Sequence, residues 1–195
     1  MRRAVAVLGV VAVLCVLGSA ATALMHRSAA PASQQWLRAH GVEVALPARR
    51  WRVEPSTSAV QYADAEGAVR AQVTGPAVLD AGFCPSSRSS SRAFVGLLPP
   101  RHGKVPGVVA NQLATWADAI GGAATPLPAV TGSRADLDVP VPAGPCAPTI
   151  AHLTLVGRTT PTGVVVLVLV RDVGEPDDLS AAAAARIVAS LRSID

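Results

Sequence analysis

The sequence predicts an α+β fold: a mostly antiparallel sheet packed with a few helices, plus one N-terminal transmembrane helix. Three observations predict it. From Val42 onwards, apolar and polar side chains alternate with a period of two, the pattern of strands with one buried face. Val164 to Val170 reads Val-Val-Val-Leu-Val-Leu-Val and is apolar on both faces, as a covered central strand must be. The run from Ala4 to Met25 holds 22 residues without a charge. At about 1.5 Å rise per residue, that run is long enough to cross a bilayer as a helix.

Residues 1–27 form the membrane segment, 28–41 a juxtamembrane linker and 42–195 the extracytoplasmic domain. Arg2-Arg3 keep the N-terminal side in the cytoplasm, so Ser28 to Asp195 work outside the membrane. A cleaved secretory signal is the alternative, since Arg2-Arg3, Val5 to Leu17 and Ala21-Thr22-Ala23 supply its three parts. The apolar continuation through Leu24 and Met25 favours the uncleaved anchor. Cys15 follows Leu14 in mid-core, the setting of a buried thiol and not of a lipidated cysteine.

Ser28 to Gln35 is small and polar, as a linker should be, and Trp36 to His40 suit a helical turn before Gly41. Strands follow at Val42–Leu46 and Trp51–Val53, punctuated by Pro47 and Pro55. Ala59–Tyr62 and Ala68–Val73 form a hairpin, with Gly67 supplying the positive φ of its turn. Ala77–Asp80 is extended, Pro85–Arg92 is a loop, and Ala93–Leu98 is a strand stopped by Pro99-Pro100. Pro106 to Ile120 is a helix: Pro106 fits its first turn, Val109, Leu113, Trp116, Ala117 and Ile120 line one face, and Gly121-Gly122 end it. Residues 123–148 are rich in proline and glycine, with strand-like pieces at Ala129-Val130 and Leu137–Val141. Ile150–Thr159 and Val164–Arg171 are strong strands. A second helix closes the chain, capped by Asp177-Asp178, with Ile187, Val188, Leu191 and Ile194 as its buried stripe.

The charge of +4 invites a nucleic-acid reading, which fails on position. Removing Arg2, Arg3 and Arg27 from the 17 basic residues leaves 14 against all 13 acidic ones, with no clustered basic face. Aromatic residues are scarce, so the core is aliphatic and no stacking surface is predicted. Two cysteines remain beyond the membrane segment, Cys84 and Cys146. An even pair in an oxidising compartment reads as a disulfide, closing a loop of 62 residues. No Cys-x-x-Cys partner or histidine stands at metal-ligand spacing.

No Gly-x-Ser-x-Gly elbow occurs, and Ser133, its nearest imitation, is a loop serine. His152 on a strand reads as a surface or satisfied polar group, and His102 as an exposed loop residue. Asp136 and Asp138 share a face of a strand. With Asp172, Glu175, Asp177 and Asp178 they read as a solvated acidic edge and helix cap, since no loop has EF-hand order. The distinctive polar segment is Ser86 to Arg92, where Arg88 and Arg92 stand among serines as an anion or partner contact. No catalytic residue, metal site or cofactor is predicted.

Certain residues carry a resemblance when taken in order: Cys84, Ser91-Arg92-Ala93, Val95-Gly96, Ala114-Thr115-Trp116-Ala117, Cys146, Gly163 to Asp172 and Ile187 to Arg192. Over roughly 42–195 the chain resembles actinobacterial extracytoplasmic domains with a PsbP-like sandwich, a group that includes the LpqN-type lipoproteins. The resemblance implies that fold, an envelope location and a protein or lipid partner. The predicted function is therefore a membrane-anchored or secreted binding module. The alternative is an envelope hydrolase with an unrecognised site.

Overall fold

The computed structural model describes residues 33–121 and 126–194. In chain order the first strands are β1 (Gln34–Ala39), β2 (Val42–Pro47), β3 (Trp51–Val53), β4 (Ala59–Ala63), β5 (Val69–Thr74), β6 (Ala77–Leu79) and β7 (Ala93–Arg101). Helix α1 (Val105–Gly121) follows, then β8 (Arg134–Pro140), β9 (Ile150–Thr160), β10 (Gly163–Val173), helix α2 (Ala181–Ala189) and β11 (Arg192–Ser193).

Six strands make an antiparallel central sheet in the order β3-β6-β7-β10-β9-β8. β10 lies between β7 and β9, and its alternation sends side chains into two separate cores. Val164, Val166, Val168 and Val170 pack with α1 and the β4–β5 hairpin. Val165, Leu167 and Leu169 pack with β2 and α2, under the three-stranded layer β1-β2-β11. The hairpin and α1 sit close on their side of the sheet because the strands beneath them carry glycine. A Cβ on Gly96 would run into Val73 of the hairpin, and one on Gly157 would lie 2.7 and 2.8 Å from Val105 and Val109 of α1.

The expected PsbP-like α+β sandwich with a membrane helix is corrected. Eleven strands and two helices are present among the described residues. β7 and β10 are buried on both faces, so the sheet needs cover on each side, and strands supply part of it on both. No helix among the described residues is long and apolar enough to cross a membrane. The longer one, α1, buries a single stripe and exposes Asn111 and Thr115. The predicted span from Ala4 to Met25 lies outside the described residues.

Four local expectations also change. Trp36 to His40, read as a helical turn, belong mostly to β1, which reaches back into the predicted linker and pairs with β2 through a His40-Gly41 turn. Both turn residues have positive φ, 54° and 76°, which suits a two-residue hairpin. Pro99-Pro100 do not stop β7; they lie opposite the register shift between Val164 and Val166, where the ladder needs no N–H from them. Ser180, not Asp177-Asp178, caps α2: its hydroxyl accepts the Ala183 N–H. Ile194 is exposed beyond β11 and is not part of a helical stripe.

Candidate functional site

β10 continues its inward alternation two residues past the apolar run, and that places Asp172 indoors. It is 8 % exposed, on the same face as Val170. Its N–H donates to the Arg92 carbonyl at 2.9 Å, and Arg92 Nη1 donates to its Oδ2 at 3.2 Å. Burial lifts the carboxyl to about 6; Arg92 pulls it down, while Glu175 and Asp178 push it further up.

Asp172 lines a cavity of about 250 Å³ with Tyr62 from β4, Phe83, Ile120 from α1, and Ala151 and Val170 from the sheet. Tyr62 sits against Phe94 and Trp116, with ring centroids 6.3 and 6.0 Å away. Burial, helped by the charge of Asp172, raises the Tyr62 hydroxyl well above the usual phenol range, so it stays a donor at neutral pH. The Arg92 guanidinium stacks on the Phe83 ring at 3.9 Å from its centroid.

The Cys84–Cys146 disulfide borders the cavity, with Cα atoms 5.9 Å apart. Cys84 is buried, and its N–H donates to Ser90 Oγ at 2.9 Å. Ser90 Oγ in turn donates to the Ser87 carbonyl at 2.7 Å. Ser87, Ser90 and Ser91 also face the cavity, so the serine-rich segment folds into a wall.

A domain of unknown function (DUF8017) matches residues 33–195. The chain belongs to the DUF8017 family. Comparisons with curated proteins and with solved structures found no match, so the expected likeness to LpqN-type domains has no support from them. The DUF8017 match begins one residue before β1 and thus takes in the strand that was read as linker.

Arg88 and Arg92 stand in different settings in the DUF8017 domain. Arg88 is exposed and makes no side-chain hydrogen bond or ion pair among the described residues. Arg92 is mostly covered and bridges Asp172 and Glu175, at 3.2 and 3.6 Å. Asp172 itself departs from the solvated acidic edge in which it was placed, because its strand turns it into the cavity.

His152, Thr154, Asp136 and Asp138 occupy the opposite face of the sheet, since Ala151, Leu153 and Leu155 take the α1 side. His152 Nδ1 lies 2.5 Å from Asp138 Oδ1, and Thr154 Oγ1 donates to Asp136 Oδ1 at 2.7 Å. Burial raises Asp136, but hydrogen bonds from Arg134 and Thr154, with the charges of Arg134 and His152, hold it below the usual carboxylate range. Among the described residues no group of three or more His, Cys, Asp or Glu side chains could hold a metal ion. Asp172 and the Asp136–Asp138 pair thus face different sides of the sheet and cannot share a ligand.

Sequence reasoning missed Tyr62, Phe83 and Asp172. Asp172 carried a signal: it continues the 164-166-168-170 inward series of β10. Tyr62 is the chain's single tyrosine, and nothing in its neighbourhood marks it.

Proposed function

We propose that this domain is a non-catalytic binding module working in an extracytoplasmic compartment, with the cavity beside the disulfide as its ligand site. The observation that carries the reading is the lining. Mostly apolar walls, with serines along one side, surround one buried carboxyl and one half-buried phenol, which is the composition of a small-molecule site. A hydrolase needs a nucleophile beside a base, and His152 is on the other side of the sheet. Ser90, on the cavity wall, is committed to the loop backbone. The disulfide supports an oxidising compartment, and the charge-free apolar run behind Arg2-Arg3 supports export into it.

A fragment panel observed by NMR on the full chain tests the reading. Fragments that shift Tyr62, Ala151 and Val170 resonances, and that Val170→Trp excludes, are the expected result. Turnover of an ester, peptide or glycoside panel, abolished by Asp172→Asn or a serine substitution, would overturn it.

A further inference from the structure

We propose that the cavity takes an organic ammonium ion, a compact apolar molecule with one positively charged nitrogen, held by the Tyr62 and Phe83 rings and the Asp172 carboxylate. The inference rests on the binding reading above and adds the ligand's chemistry. Among the described residues, Asp172 is the sole charged one in the lining, and no lysine or arginine lines the cavity with it. Arg92 does not cancel it, because one guanidinium serves two carboxylates, Asp172 and Glu175. Only Oδ2 of Asp172 accepts a side-chain hydrogen bond among the described residues, leaving Oδ1 for a ligand. An anion would meet this carboxylate and be repelled.

The aromatic part of the site argues the same way. Phe83 already holds a cation, the Arg92 guanidinium, over its ring. Tyr62 adds a second ring, and its hydroxyl stays protonated beside the carboxylate. Aromatic faces with a nearby carboxylate attract ammonium nitrogen even where it has no hydrogen to donate. At about 250 Å³ the cavity is below the roughly 300–1,000 Å³ of drug-sized sites, so the ligand is a small amine or a short-chain quaternary ammonium.

The test compares choline with its neutral carbon isostere, in which a tert-butyl group replaces trimethylammonium. Both are titrated into the full chain and followed at the Tyr62, Ala151 and Val170 resonances. Choline should bind roughly tenfold tighter than the isostere, and Asp172→Asn should erase the preference. Phe83→Leu should weaken choline by roughly threefold or more and leave the isostere unchanged; it decides the matter if Asp172→Asn does not fold. Equal binding of the two probes would overturn the ammonium assignment while leaving the cavity as a ligand site. Failure of these probes and of every panel fragment to shift cavity resonances would defeat both readings.

Discussion

Glu43 and Asp172 are both buried carboxylates, one in the three-stranded layer and one in the cavity across the sheet, and they are displaced in opposite directions. Glu43 stands in register between Arg38 of β1 and Arg192 of β11, and both guanidiniums donate to it at 2.7 Å. Those hydrogen bonds, that from Arg38 first, hold its carboxyl below the usual glutamate range against a smaller opposing push from burial. Its partners are its register neighbours on both flanking strands, so the pairing comes with the ladder. Asp172 has one shared arginine and apolar neighbours, so burial wins and its carboxyl rises to about 6. The first arrangement staples strands together. The second keeps a carboxyl with one shared partner next to open volume, the setting of a candidate ligand group.

The comparison breaks most readily at the sheet that separates the two sides. Val166→Asp buries a charge on the cavity side and Leu167→Asp on the other, and each should cost about 4 kcal/mol or more, enough to unfold the domain. Circular dichroism melts check this, and tolerance of either aspartate would mean that its face is wet. Loss of the disulfide comes next. Cys84→Ser should cost about 4 kcal/mol by loop closure over 62 residues, read from denaturant midpoints.

The two carboxylates then predict opposite pH trends. Asp172 keeps its proton in the folded state to about pH 6 but loses it near 3.8 when unfolded, so the folded protein binds more protons between those values. Its contribution is therefore most favourable in acid and declines as pH rises towards about 6, by up to about 3 kcal/mol. Asp172→Asn should remove that slope in melts measured from pH 4 to 7. A slope unchanged in the mutant would show that the carboxyl titrates normally. Glu43 gives a smaller effect of the other sign. Its contribution is present above the ordinary glutamate value of 4.5 and fades as pH falls below it. The melting temperature of Glu43→Gln should thus lie below that of wild type at pH 7 and converge with it in acid.

Many strand positions were legible, though not their order in the sheets, because burial on one face leaves a period-two trace in β2, β5 and β9 and burial on both leaves an apolar run in β10. β1 left no such trace. It is an outer strand with Leu37 as its one fully buried residue, so its pairing depends on a partner that local pattern does not name. The Pro99-Pro100 pair misled for a related reason: proline is excluded by a missing ladder bond only where a bond is required, and that depends on the neighbour's bulge. The disulfide pairing followed from compartment and count. The cavity did not follow, because Tyr62, Phe83 and Asp172 come from a hairpin, a loop and a strand end and meet only through the topology.

The three-stranded layer has a mechanical consequence. β1 and β11 both run antiparallel to β2, with Gln34 beside Pro47 at one end and Ser193 beside Val42 at the other. Tension drawn between residues 34 and 193 therefore pulls β2's two neighbours in opposite directions along the strand axis. That geometry loads the hydrogen bonds of each ladder sideways and together instead of peeling them one by one. The ladder to β11 spans two residue pairs against six to β1, so it should part first. Single-molecule stretching between those residues should show a small early rupture that Glu43→Gln lowers, since Arg192 crosses the same seam to Glu43. Rupture of β1 first would show that the side-chain staple is stronger than the ladder beside it.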